Sequence, residues 1–328
     1  MMRRREVLQI LAAALVPMPG AVAAQTQSKV FRLGTLTPGA PIDEKSPTGA
    51  ILLKELEQRG YTLGKNMTLE VRAATGQVDK LASLLQGMKA DQIDAVVITG
   101  FPTALACKVA KMPTVVALGA GDPVATHLID SLPHPGGTIT GISDNAVTLS
   151  TKRLDIIKQA VPKLQRVAML WNRDDLGMSM RYESSAAAAR SIGVSVQPLG
   201  VREPDDFNGV FEAMDRQPPD AILMVADSLT ILNRKRVYDY AGAHHIPALY
   251  EYDFLVREGG LMSYGPDVKE SFQRAADLVA RIFGGARPGD LPFEEPTRYP
   301  LVINLKTAKA TGIDLPANFV ALADEVIE

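Results

Sequence analysis

From Val30 onward, short β-branched apolar runs alternate with stretches whose apolar residues recur every three or four positions. That is the pattern of buried strands separated by amphipathic helices. Val30 to Leu36 predicts a first strand, and Gly49 to Gln58 a helix with Ile51, Leu52 and Leu56 on one face and Gly60 as its stop. Met67 to Ala73 predicts a second strand, Val78 to Met88 a second helix, and Ala95 to Thr99 a third strand. A short helix after Pro102 then leads to a fourth strand, Thr114 to Leu118.

The second half repeats that order. Arg166 to Trp171 reads as a strand, Tyr182 to Ser191 as a helix stopped by Gly193, and Val194 to Val201 as a strand. Asp205 to Met214 is a helix, Ala221 to Val225 a strand, Leu229 to Gly242 a helix, and Ala248 to Tyr250 a strand. At one constant offset, Leu81, Leu84, Leu85 and Met88 match Phe207, Val210, Phe211 and Met214, and Asp94-Ala95 matches Asp220-Ala221. Two α/β units can look alike by chance; matched spacing favours one domain-sized unit used twice over a short solenoid repeat. Turn-rich Pro133 to Gly141 connects the halves. Further on, Leu261 to Tyr264 predicts a strand, Val268 to Phe283 a helix ending at Gly284-Gly285, and Leu301 to Asn304 a final strand before a short helix and the tail.

The expected fold class is α/β, with two Rossmann-like three-layer lobes joined by a hinge and a cleft between them. Residues 29–143 with 265–290 are assigned to one lobe, and 144–264 with 291–328 to the other. A length of 328 residues suits two domains at about 150 each.

The first residues read differently. Arg3-Arg4-Arg5, an apolar stretch from Val7 to Val16, and then Ala21-Val22-Ala23-Ala24 form a charged head, a short core and a small-residue cleavage site. The core is shorter than the roughly 20 residues a spanning helix needs. Residues 1–24 are therefore expected to be a signal peptide, cleaved near Ala23 or Ala24. Arg4-Arg5-Glu6-Val7-Leu8 fits a twin-arginine export pattern, with the general secretory route as the alternative. No cysteine follows the core, so a periplasmic protein rather than a lipoprotein is expected.

Composition narrows the chemistry. A net charge of -2, from 35 Lys+Arg against 37 Asp+Glu, gives no bulk drive toward nucleic acid. The single cysteine, Cys107, excludes an intramolecular disulfide and a thiolate-rich metal site, and its alanine-rich helix suits packing better than nucleophilicity. His244 and His245 are adjacent and point apart on a helix or a strand, so they cannot chelate one metal together. Gly60 to Asn66 fails the phosphate-loop spacing, and no G-x-S-x-G or H-E-x-x-H occurs. No cofactor, metal or catalytic residue is assigned.

In parallel α/β sheets ligands sit just beyond the carboxyl ends of the strands. The residues there are Thr37-Pro38-Gly39, Gly100-Phe101-Pro102-Thr103, Gly119 to Pro123, Trp171-Asn172-Arg173-Asp174, Asp227-Ser228 and Tyr250-Glu251-Tyr252. Small hydroxyl, amide and aromatic groups of this kind bind a small polar molecule and offer little acid-base catalysis. Thr103 suits an N-cap, while free N–H groups at the same helix start suit a carboxylate. Gly121 and Asp122 fit a turn or a ligand contact. Trp171 is either packing or a stacking platform beside Asn172. Asp227 either caps the next helix or meets an ammonium. Tyr250, Tyr252 and Tyr264 face the cleft or pack at its rim.

Several stretches taken together resemble one family: the leader MRRREVL, GDPV (Gly121 to Val124), HPGGTITG with Ser143-Asp144-Asn145, KRLDIIKQAVPKLQRVAMLWN (Lys152 to Asn172), GGLMSYGPD (Gly259 to Asp267), and the ending LVINLKTAKATGIDLPANFVALADEVIE. They resemble ABC-transporter substrate-binding proteins of the tryptophan/tyrosine-binding (TrpX-like) type, across essentially the whole mature chain. The resemblance implies a type I periplasmic binding-protein fold, a monomer that captures a small solute and delivers it to an inner-membrane ABC permease driven by a cytoplasmic ATPase. It implies solute contacts from strand-end loops of both lobes, at Thr37, Phe101, Thr103, Asp122, Asn145, Asn172, Asp227 and Tyr250, with Asp227 meeting an α-ammonium. Ser228 stands where amino-acid-binding members tend to carry an asparagine after the aspartate, so aromatic and other organic carboxylates remain open beside amino acids. The rival readings are an exported two-lobed racemase or hydrolase working through Asp122 and Asp227, and a ligand-sensing receptor module.

Overall fold

The structure is a computed structural model that describes residues 29–328. The expected leader, residues 1–24, lies outside the described residues.

The first sheet is built from β1 (Phe31–Thr37), β2 (Met67–Ala73), β3 (Ala95–Thr99), β4 (Thr114–Leu118) and β5 (Ile139–Gly141). Its helices are α1 (Pro47–Gln58), α2 (Leu81–Ala90) and α3 (Phe101–Ala110). The chain then crosses to α4 (Ala146–Ala160), β6 (Arg166–Asn172), α5 (Leu176–Ser191), β7 (Ser195–Val201), α6 (Asp206–Arg216) and β8 (Ala221–Met224). Next come α7 (Ser228–Leu232), α8 (Arg234–Ala243), β9 (Ala248–Tyr250), α9 (Asp253–Arg257) and β10 (Met262–Tyr264). Helix α10 (Val268–Phe283) precedes β11 (Leu301–Asn304), α11 (Leu305–Thr311), α12 (Ala317–Val320) and β12 (Glu325–Ile327).

Sheet order carries the repeat. The first sheet runs β2-β1-β3-β4-β5, and the second runs β7-β6-β8-β9-β10 before adding β11 and β12. Strand for strand the order is the same, every pairing parallel except β10 with β11. Leu81 and Met88 on α2, like Phe207 and Met214 on α6, are buried at matching places in the two units.

Helix α10 shows how sequence periodicity becomes packing. Phe272, Ala276, Val279 and Phe283 are buried on one face, and Phe283 stacks on Phe31 at 4.6 Å. Burying a side chain such as Phe272 stabilises by roughly 1.5–3 kcal/mol. Asp267 caps the helix by accepting from Glu270 N–H at 3.1 Å.

Three departures from the sequence reading have local causes. The expected single helix over Leu229 to Gly242 is two, because Asn233 takes a non-helical conformation and its side chain donates to the Leu229 carbonyl. Strand β5 lies inside the Pro/Gly-rich connection, and at three residues it is too short to show a period. Beyond the expected boundary at residue 290 the chain stays with the first sheet, where Phe293 and Glu294 donate backbone N–H to Leu132 and Gly141. Among the described residues, no helix is long and apolar enough to cross a membrane.

Candidate functional site: the interlobe cleft

A cleft of about 610 Å³ opens between the carboxyl ends of strands from both sheets. That volume lies in the range of small-molecule sites. On the first-lobe side, β1 ends at Thr37, whose hydroxyl donates to the Ala40 carbonyl at 2.7 Å and folds the following loop back. Ser46 then caps α1, accepting from Gly49 N–H at 3.1 Å, with Pro47 in the first turn. The wall continues at Gly100, whose φ of 81° suits glycine, and a Cβ there would come within 3.0 Å of Pro38.

Gly100 is also the N-cap of α3, with no side chain bonding to the helix start. Its first-turn N–H groups, at Phe101 and Thr103, have no intrahelical acceptor, the condition under which a helix start favours an anion. Thr103 is therefore not the cap: it is the third residue of α3, fully buried, with its hydroxyl unpartnered. Pro102 also lines the cleft; Cys107, deeper in the same helix, is buried, and burial pushes its thiol up to about 12.

On the second-lobe side Asp227 caps α7 and also lines the cleft. One carboxylate oxygen accepts from Thr230 N–H at 2.9 Å while the Thr230 hydroxyl accepts from Asp227 N–H, a capping box on α7. The other oxygen accepts from the Asn172 amide at 2.6 Å, and the residue lines the cleft. Burial raises its carboxyl, against the hydrogen bonds from Thr230 and Asn172.

Beside it stands a residue the sequence reading missed. Asp175 is 3% exposed, caps α5 through Met178 N–H at 3.2 Å, and lines the same cleft. Burial, and then the charge of Asp227, push its carboxyl up to about 7. Tyr252 completes this side, buried and lining the cleft with its hydroxyl unpartnered. Much of the remaining wall is apolar, from Ile42 and Ile51 to Leu118, Ile231, Phe254 and Phe272.

Behind the cleft lies a buried ionic chain, also missed. Arg153 donates to Glu251 at 2.7 Å, Arg181 donates to the other oxygen of Glu251 at 2.6 Å and also to Asp144. Asp144, just past the first crossing between lobes, accepts the backbone N–H groups of Gly119 and Gly121, both at 2.9 Å. Glu251 further accepts from Ala226 N–H at 3.0 Å. Burial alone would raise the Glu251 carboxyl; Arg153 and Arg181 reverse this and hold it below the usual carboxylate range. These two acids are neutralised by two arginines, whereas among the described residues no salt bridge reaches Asp175 or Asp227.

The structure brings Thr37, Pro38, Gly100, Asp227 and Ser228 of the expected residues together on the cleft wall. The others stand behind or beside it. Phe101 and Gly121 meet the second lobe at a seam: a Cβ on Gly121 would lie 3.1 Å from the Gly177 backbone, and one on Gly177 would lie 3.2 Å from the Phe101 Cβ. Asp122 accepts from Val124 and Ala125 N–H within its own turn, which removes the opposed acid pair with Asp227. Asn145 begins α4 with φ of 48° and donates to the Tyr299 hydroxyl at 3.3 Å. Trp171 stacks on Tyr182 at 3.6 Å and is not among the cleft-lining residues, and Asn172 acts through Asp227. Tyr250 is buried edge-on to Tyr238, and Tyr264 offers its carbonyl to Arg153 at 2.8 Å. No local signal marks Glu251 and Arg181 as partners, and none marks Asp175, because Asp174 beside it is exposed.

With this geometry in place, comparisons with known proteins give a consistent result. The family described as ABC transporter substrate binding protein matches residues 47–327. A curated tyrosine-binding protein of Clostridioides difficile (strain R20291) is 24% identical over 271 residues, covering 82% of this chain and 77% of the relative. The crystal structure of a conserved domain protein from Vibrio cholerae O1 biovar eltor superposes with TM-score 0.83 at 24% identity, covering 91% of this chain and 100% of that one. A domain from Streptococcus pneumonia in complex with L-Trp superposes with TM-score 0.79 at 22% identity, covering 90% and 99%.

Proposed function

The chain belongs to the ABC transporter substrate-binding protein family, and from that membership we propose that it is an extracytoplasmic receptor that closes on an amino acid with an apolar or aromatic side chain. The observation that carries this reading is the pairing, in one cleft, of an uncapped helix start on the first lobe with an uncompensated carboxylate on the second. The N–H groups opening α3 receive the solute carboxylate. Asp227, oriented by Asn172 and Thr230, receives the ammonium. Ile42, Ile51 and Phe272 surround the side chain. The two similar proteins that bind tyrosine or hold L-Trp support an aromatic amino acid among the candidates.

Binding is the whole of the mechanism proposed. Solute bridges the lobes, so the closed form has the higher affinity, and the population shifts toward it. The permease then recognises the closed form. We take the lobes to be residues 29–143 with 265–294 and 144–264 with 295–328, and the working unit to be a monomer that binds no nucleic acid and catalyses no reaction. Residues 1–24 direct export, with cleavage near Ala23 or Ala24. Isothermal titration of the mature chain with the common amino acids, indole-acetate and benzoate tests this. We expect one-site binding of an aromatic or large apolar amino acid, weakened at least tenfold by Asp227→Asn; binding of the acids with none of the amino acids would overturn it.

A further inference from the structure

The Asp175 carboxyl is buried beside Asp227, and among the described residues neither has an arginine or lysine partner, although the two carboxylates immediately behind them are fully paired. Asn172 ties the two together: its side-chain amide donates to Asp227 at 2.6 Å, and its carbonyl accepts from Asp175 N–H at 3.4 Å. Asp175 also faces the first lobe. The point where a Gly177 Cβ would stand lies 3.3 Å from Asp175 Oδ1 and 3.2 Å from the Phe101 Cβ, at the open start of α3. Tyr252 stands on the same wall, 3% exposed; among the described residues its hydroxyl makes no close hydrogen bond and has Arg181 of the ionic chain beside it.

Resting on the solute-receptor reading above, we propose that Asp175 is a second acid of the solute site, sharing one proton with Asp227 while the cleft is empty and releasing it when a solute ammonium settles between the two. Two carboxylates in a buried site cannot both ionise without a cation, so the first proton is retained. The ammonium supplies that cation and the proton leaves to solvent, which keeps charge balanced through the binding step. The groups facing Asp175 are consistent with this. Asp227 at the end of β8 opposes its ionisation; the Met178 and Gly177 N–H groups of its own helix favour it; and Arg181, one turn further along α5, favours it only weakly because Asp144 and Glu251 already engage that guanidinium. Burial and Asp227 together leave the Asp175 carboxyl near 7, so the exchange falls within the pH range an extracytoplasmic receptor meets.

The consequence is a pH-dependent affinity of known sign. Below the pH at which Asp175 ionises, each unit of acidification adds a tenfold cost for expelling the proton; above it, affinity is flat. A neutral solute without an ammonium shows no such slope.

The test uses the mature protein with tryptophan and tyrosine as probes, titrated calorimetrically from pH 5 to pH 8 in buffers of different ionisation enthalpy. Affinity should rise about a hundredfold from pH 5 to pH 8, with close to one proton released per solute at pH 5. Asp175→Asn keeps the helix cap, and should abolish both the slope and the proton release while weakening binding at pH 8. An unchanged slope in Asp175→Asn would overturn the proposal. A second measurement separates it from the receptor reading: carboxyl carbon NMR of the solute-free protein should show one aspartate titrating near neutrality that returns to the ordinary range in Asp227→Asn. Ordinary titration of every aspartate overturns the shared proton even if solute binds. A near-neutral aspartate in a protein that binds neither probe supports the pair and counts against the receptor reading alone.

Discussion

Asp175 illustrates what a single position can hide. It follows Trp171-Asn172-Arg173-Asp174, the strand-end run that is a candidate for ligand contact, in which Asp174 faces solvent. Burial of its neighbour comes from lobe-to-lobe contact at Gly177 and Phe101, residues far apart in the chain. No local pattern encodes that. Its raised carboxyl has a consequence for stability. The native state keeps a proton that the unfolded chain has lost, so stability is full below about pH 4 and falls as pH rises toward 7. At roughly 1.4 kcal/mol per pKa unit the loss reaches a few kcal/mol. Denaturant melts of the solute-free protein should therefore show Asp175→Asn gaining on the parent protein as pH rises from 5 to 8, whereas a difference independent of pH would remove the proton from the account. Asp144, Arg153, Arg181 and Glu251 were equally illegible as a set, since only the fold brings residues from the crossing, two helices and a strand end into one chain of ion pairs.

Elements were far more legible than their side chains. Strands β3, β4, β9 and β11 and helix α10 begin and end where their apolar runs do, because each is buried on a continuous face and bounded by turn residues, and half-buried β2 keeps its expected bounds as well. The misses share a cause. Helix α3 starts at Phe101 rather than after Pro102, since proline fits the first turn and Gly100 supplies the entry bend. The α7–α8 break depends on Asn233 folding its side chain back on α7, which periodicity does not register. Helix α7, five residues long, stands on the Asp227 cap, and this separates two functions of one side chain. Asp227→Ala should lower stability by about 1 kcal/mol through loss of the cap, while Asp227→Asn should stay within a few tenths of the parent. Both should lose solute affinity. Thermal melts beside titrations read the two effects apart, and equal destabilisation by both substitutions would show that charge rather than capping holds the helix.

At the scale of the molecule, the repeated order of apolar runs already implied a duplicated α/β unit, and the identical sheet orders agree with it. What the sequence left open is how the halves meet. They touch around the cleft, with a Cβ on Gly39 falling 3.6 Å from Ser228 and one on Gly76 falling 3.2 Å from Leu232. That contact matters because it brings the start of α3 to the same small volume as Asp175 and Asp227. Neither lobe alone offers groups for both ends of an amino acid. The most direct test of that claim is a crystal structure of the mature protein with the tightest solute found by titration. The account predicts one solute between the lobes, its carboxylate on the Phe101 and Thr103 N–H groups and its ammonium between Asp227 and Asp175. A solute bound to one lobe only, or one held with its charged ends turned away from these groups, would contradict it.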